Sequence, residues 1–378
     1  MSAARANTQD ERRAAPLAAG EGFGALVGQD RIVRALRHAI EHDRLPHALL
    51  FGGPPGVGKA TCAGLLAQAL NCPERGPLDA CGTCPSCRKI ARGYHPDVLW
   101  IEPDPRIIRI GQVTYRDSDP KSLPRTETAT GFVGYTPYEG QRRIVIIDQA
   151  HTMNPSAQNA LLKTLEEPPA SALVILVSPA PGTLLPTVRS RCQSLRFAPV
   201  PLPDVRAHLE LHHDMDPEEA RLRAALAPGS IGAAIAVDLE TYAELLEAVV
   251  DALRLAIAGG AGIVAAADQL AASGEGETAT QRAAATLYVA RDVLRDLLVV
   301  SSGGDRGTLV NIDRLEAWEA WAAEVDAEDV AEALAAVNVG IERFTTGITP
   351  NIKMAFELTL SDVFRALSPD TQAVGSMR

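Results

Sequence analysis

The segment GGPPGVGKAT at 52–61 constrains this chain more than any other. It contains Gly53-x-x-x-x-Gly58-Lys59, with Gly56 between. It follows the apolar run HALLF at 47–51 and opens a helical pattern that continues through Leu70. A strand, a glycine loop and a helix in that order are the context a phosphate-binding loop requires. The glycines let backbone N–H groups wrap an anion, and the helix N-terminus favours negative charge. Lys59 has the reach for terminal phosphates. An ordinary Gly/Pro turn is the plain alternative.

Two residues of this motif depart from its catalytic form. Ser or Thr after the lysine normally ligates Mg²⁺, and here Ala60 offers no ligand atom. Thr61 comes one position late, and each helical residue turns by about 100°, so it is expected to point elsewhere. The second acidic strand, RIVIIDQAH at 143–151, ends in Asp148, placed to orient Mg²⁺ or to cap a turn. Gln149 follows, where a hydrolase would carry a carboxylate base; an amide cannot take a proton in that way. Each lost contribution typically costs about 2.7–4 kcal/mol of transition-state stabilisation. ATP and Mg²⁺ binding is therefore expected to be weak and hydrolysis absent or very slow.

Cys72, Cys81, Cys84 and Cys87 form a C-x₈-C-x₂-C-x₂-C cluster. Four thiolates within sixteen residues suit a closed, tetrahedral structural Zn²⁺ site. A redox C-x-x-C needs two cysteines in another setting, an iron–sulfur cluster remains open, and a zinc deaminase would need His-x-Glu ahead of the cysteines. Cys62 and Cys192 read as small apolar packing groups.

The chain has 378 residues, enough for two or three domains. Its charge is uneven. Residues 201–378 carry 13 Lys+Arg and 29 Asp+Glu, whereas residues 1–200 carry 23 and 18. Phosphate chemistry is thus expected in front. The apolar stretch from Ala248 to Ala272 is broken by Asp251, Arg254 and Asp268, so it does not read as a membrane span. The N-terminus lacks an apolar signal region and reads as a disordered leader, with an Arg-containing transit peptide as the alternative. A cytoplasmic protein with reduced thiols is expected. Apolar runs at 97–103, 143–148 and 172–178 predict buried strands. Asn154-Pro155 predicts a helix start, and Pro168-Pro169 its stop. Residues 104–140 look loop-like, interrupted by IIRIGQV at 107–113, Pro-Leu-Pro at 201–203 reads as a linker, and everything beyond it is helical in pattern.

LVGQD (26–30), HALLFGGPPGVGKAT (47–61), the cysteine cluster, HPDVLWIEP (95–103), VIIDQAHTM (145–153), NALLKTLEEPP (159–169), LLPTVRSRC (184–192) and NIKMAFELTL (351–360) together resemble the bacterial clamp-loader AAA+ subunits of DNA polymerase III. The resemblance spans about residues 23–365. It implies a disordered leader over 1–22 and an α/β P-loop (AAA+) domain with a parallel sheet over 23–200, its zinc module inserted at 72–87. A small helical lid over 201–243, an all-α collar over 244–368 that assembles subunits, and a tail over 369–378 would follow. It also implies that Arg191, in Ser190-Arg191-Cys192, is an arginine finger acting in trans on a neighbour's ATP, and that Ser178 is a sensor residue.

Ala60, Gln149 and Gly232, the last standing where a motor would carry a sensor arginine, are similar to the delta-prime branch. That branch is a largely non-hydrolysing stator within the polymerase III holoenzyme. The partners implied are gamma/tau motor subunits and a delta subunit, with the sliding clamp and primer–template DNA reached through the complex and no membrane. An active gamma/tau-like ATPase is the first alternative. A zinc-dependent redox or nucleic-acid-binding module fused to an inactive ATPase is the second.

Overall fold

The computed structural model describes residues 22–76, 79–117, 122–257, 259–271, 277–345 and 351–368. The leader expected over 1–22, apart from Gly22, and the tail expected over 369–378 lie outside them. The described residues divide into two compact units. The first runs to Ala220 and takes in Ala227–Ile235; the second comprises Arg221–Leu226 and the chain from Ala236.

In the first unit, helix α1 (Asp30–Glu41) precedes β1 (Ala48–Gly52), the phosphate-loop segment and α2 (Lys59–Asn71). Helix α3 (Pro85–Ala91) lies in the cysteine segment. Then come β2 (Val98–Ile101), β3 (Arg143–Ile147), α4 (Pro155–Glu166), β4 (Ala172–Ser178), β5 (Gln193–Arg196) and α5 (Leu202–His212). The strands form one sheet in the order β2-β3-β4-β1-β5, and every pairing is parallel. Leu50 lies opposite both Leu176 and Ser194.

Successive side chains alternate between the faces of a strand, so the apolar runs feed two cores. Leu49, Phe51, Ile144, Ile146, Leu173 and Ile175 pack on one face with Leu65, Leu66 and Ala69 of α2. Leu50, Val145, Ile147, Val174 and Leu176 pack on the other with Ala157, Leu161 and Leu165 of α4. Coverage on both faces is why these strands read as continuous apolar runs rather than alternating ones.

Two local expectations are corrected. Pro-Leu-Pro at 201–203 is not an extended linker. Pro201 caps α5 and Pro203 sits in its first turn, where no N–H partner is lost. The loop-like segment holds three short helical pieces, at Ile110–Val113, Arg125–Glu127 and Ala129–Val133, the last burying Phe132 and Val133.

Beyond α5 the described chain is helical: α6 (Pro217–Leu226), α7 (Ile231–Ala236), α8 (Leu239–Ile257), α9 (Ala261–Ala271), α10 (Glu277–Ser301), α11 (Leu315–Ala322), α12 (Ala327–Thr345) and α13 (Ile352–Leu367). The second unit packs one apolar core that includes Trp318, Leu294 and Phe356. Asp296, fully buried there, accepts hydrogen bonds from the Val310 and Asn311 N–H groups and from the Asn311 side-chain amide. No helix among the described residues is long and apolar enough to cross a membrane.

Candidate functional site

The carboxyl ends of the parallel strands carry the phosphate-loop residues, as expected for a ligand crevice in an open α/β sheet. Gly53 follows β1 with a φ of 149°. A Cβ there would stand 2.4 Å from the Phe197 carbonyl oxygen, so only glycine fits. Gly56, at a φ of 69°, lies against the start of α7, where a Cβ would meet the Ser230 hydroxyl at 2.0 Å. The Gly232 N–H donates to the Gly56 carbonyl at 3.1 Å. The loop is thus held by its own first unit.

Lys59 is buried, and its ammonium donates to the Gly53 carbonyl at 2.7 Å and to that of Pro54. Burial pulls its pKa down, against the opposing charge of Asp148. Burial pushes the Asp148 carboxyl up, against the Gln149 N–H and the Lys59 charge. Gln149 sits in the left-handed region, at a φ of 48°, with its side chain exposed.

These groups open on a cleft of about 870 Å³. Of the residues expected there, Gly56, Gly58, Lys59, Ala60, Thr61, Asp148 and Gln149 line it together. Thr61 is among the lining residues, next to Ala60. Gly53 and Ser178 are not part of the wall. Ser178 is fully buried and its hydroxyl accepts the Ala180 N–H at 3.1 Å.

Sequence reasoning missed His151, His208, His212 and His213, which also line the cleft. His208 and His212 stack with ring centroids 4.6 Å apart. Their one-turn spacing on α5 was the available signal. Burial keeps His151 below the ordinary histidine range, against the pull of Asp148. The cleft therefore combines an anion-binding loop with imidazole and aliphatic walls. Ala60 and Gly232 bring no polar side chain to it, and Gln149 brings a neutral amide.

Arg191 is not part of that wall. It follows the short turn Pro186–Arg189. Its guanidinium donates to the Thr187 carbonyl at 2.9 Å and pairs with Glu166, at the end of α4, at 2.6 Å. Its side chain keeps 35% of its exposure, and its two terminal nitrogens are held by these partners.

The four cysteines converge at the end of α2 and the start of α3. Their sulfurs lie within 4.8 Å of one another, Cys72 being 3.6 Å from Cys81 and 3.9 Å from Cys84. Tetrahedral Zn–S bonds of 2.3 Å set sulfurs about 3.8 Å apart. The N–H groups of Cys81, Cys84 and Cys87 point at the sulfurs of Cys72, Cys81 and Cys84, respectively. Burial alone would raise the Cys81 thiol, but the backbone N–H groups of Cys84 and Thr83 bring it down to about 6. Burial pushes Cys72 and Cys87 up. The donor set fits a thiophilic metal, and this cluster can hold one. Cys62 is buried in the core, and burial lifts the Cys192 thiol to about 11, in keeping with packing roles.

A parallel five-stranded sheet with a glycine-rich loop at its carboxyl edge, followed by a helical region, defines an α/β P-loop architecture. Residues 28–201 match the family model described as DNA polymerase III, delta subunit. The chain is 35% identical over 227 residues to the DNA polymerase III subunit delta' of Bacillus subtilis, covering 60% of this chain and 64% of that protein. It is 40% identical over 166 residues to the delta' subunit of Pseudomonas aeruginosa, covering 43% and 46%. To the DNA polymerase III subunit tau of Salmonella typhimurium it is 31% identical over 270 residues, covering 70% and 35%. The matched region thus spans less than two thirds of each relative's length. Over these residues the chain is similar to the delta' and tau subunits of the DNA polymerase III clamp loader.

Proposed function

We propose that this chain is the stator of a clamp loader: it hydrolyses little or no ATP itself and supplies Arg191 to a neighbouring motor's ATP. The observation that carries this reading is a contrast within one unit. The chain's own cleft presents Ala60, Gln149 and Gly232 where metal ligand, base and cation would stand, while Arg191 lies half-exposed outside that cleft, paired with Glu166. Arginine suits the trans role, because its planar and permanently charged fork matches phosphate oxygens and neutralises charge that develops during transfer.

The partners would be tau/gamma-type motors and a delta subunit, with the sliding clamp and primer–template DNA engaged through the assembly. Residues 201–378, strongly acidic, suit subunit contacts better than DNA. Cys72, Cys81, Cys84 and Cys87 would hold a structural Zn²⁺, which supplies a cross-link rather than chemistry.

The test is single-turnover ATP hydrolysis by the complex reconstituted with its motor subunits. Arg191→Ala is expected to slow the site it completes by a factor on the order of 10³ or more, while Lys59→Ala leaves that rate unchanged. Full activity in the Arg191→Ala complex would overturn the reading. The active-motor alternative retains Lys59 and Asp148 in its favour, and it predicts the reverse pattern.

A further inference from the structure

His95 lies outside the phosphate cleft, and its side chain is fully buried. Its Nδ1 accepts the Asp97 N–H at 3.0 Å. That bond leaves the neutral ring's proton on Nε2, which faces the Ser86 hydroxyl at 3.0 Å and the Glu139 carboxylate at 3.3 Å. Burial holds the ring below the ordinary histidine range despite Glu139 and Asp97, so it is neutral at neutral pH. The Ser86 hydroxyl in turn donates to the Asn71 carbonyl at 2.8 Å. One directional chain results: Asp97 N–H to His95, His95 to Ser86, Ser86 to Asn71.

Its last two members matter because Ser86 immediately precedes Cys87 and Asn71 immediately precedes Cys72. Cys72 caps the end of α2, whereas Cys87 lies within α3. The Gln68 amide adds a 2.9 Å bond to the Cys87 carbonyl. The Asn71 side chain accepts the Gln141 and Arg142 N–H groups at 2.9 Å each. The base of the cysteine cluster is therefore tied to the beginnings of β2 and β3.

We propose that His95, acting through Ser86, is a positioning residue for the four-thiol metal site: it fixes Cys72 against Cys87 before metal arrives. This rests on the metal reading of the cluster. Outer partners that orient ligands typically contribute about 10–100-fold in metal affinity when removed.

The test is Zn²⁺ affinity of the full chain, measured by competition with a chromophoric chelator, with Co²⁺ absorption as a second readout of tetrahedral thiolate geometry. His95→Asn keeps an acceptor near Nδ1 but cannot reach Ser86; it should weaken Zn²⁺ about 10–100-fold and lower the Co²⁺–thiolate bands. His95→Gln, whose amide nitrogen falls near Nε2, should retain most of the affinity. Ser86→Ala cuts the chain at a half-buried residue and should match His95→Asn; it decides the matter if His95→Asn does not fold.

A His95 that only stabilises the fold would lower the stability of the metal-free chain and leave the Zn²⁺ affinity unmoved. Wild-type binding with unchanged affinity in His95→Asn and Ser86→Ala overturns the positioning role alone. Absence of Zn²⁺ binding by the wild-type chain overturns the metal reading and this proposal together.

Discussion

Asp97 shows how one residue can organise the edge of the sheet. Its side chain has no solvent exposure, yet it accepts the N–H groups of Tyr138, Glu139 and Gly140 at 2.7–2.8 Å and pairs with Arg143 at 3.3 Å. Burial alone would raise its pKa; the three amides and the guanidinium outweigh it and hold the carboxyl below the usual range. Truncation to alanine would strand three donors and leave the Arg143 charge to its carbonyl partners, Thr136 and Pro96. Removing one partner of such a pair typically costs about 3–5 kcal/mol, and denaturant unfolding of Asp97→Ala should show a loss of that order. The sign with pH follows from the depressed value. The contribution is full above the unfolded carboxyl's pKa of about 3.9 and is lost as pH falls through the lower folded pKa. Asp97→Asn should therefore flatten the stability profile in that acid window; a profile as steep as wild type would contradict the assignment. In the sequence Asp97 reads only as the start of a strand. Its partners lie more than forty residues downstream, and such a contact leaves no local pattern. Gly53, Gly56 and Lys59 were legible because their chemistry is set by neighbours within one loop.

Elements were legible in proportion to how much of their burial is local. Strands β1, β3 and β4 are covered on both faces and announce themselves as apolar runs. Strand β5 (Gln193–Arg196) was missed: it is a mostly exposed polar edge strand whose identity comes from pairing with Leu49–Gly52. Helix α4 was legible from both ends. Asn154 caps it, its side-chain oxygen accepting the Ala157 N–H at 2.8 Å, and Pro155 occupies the first position. This helix buries Leu161 and Leu165 against the sheet and ends at Glu166, the partner of Arg191. Loss of the cap frees one orphan donor, so Asn154→Ala should cost about 1 kcal/mol. The shift in denaturation midpoint would be smaller for Asn154→Ser, which retains the acceptor, and equal losses in the two variants would show that the cap contributes nothing.

At the scale of the whole molecule, nucleotide chemistry depends on groups far apart in sequence but close in the first unit. Ala60 follows the loop lysine, Gln149 follows β3, and Gly232 arrives from α7, where its Cβ would stand 3.3 Å from the Gly56 Cα. The sequence made the first two deficits visible through motif position, and that of Gly232 through the resemblance. The packing of Gly232 on the loop and the histidines of α5 depend on how the chain returns to the cleft. If those deficits explain a silent site, the isolated chain should show no Mg²⁺-dependent ATP hydrolysis above its Lys59→Ala control. Restoring ligand and base together, as Ala60→Thr with Gln149→Glu, should then raise turnover, each recovered contribution being worth on the order of 10²–10³. Gly232→Arg is a poorer addition, because the Gly56 backbone sits where its side chain would start. Wild-type turnover that disappears in Lys59→Ala would reverse the argument. It would mean that Thr61, one of the cleft's lining residues, or water replaces the missing metal ligand, and that the chain drives itself rather than completing a neighbour.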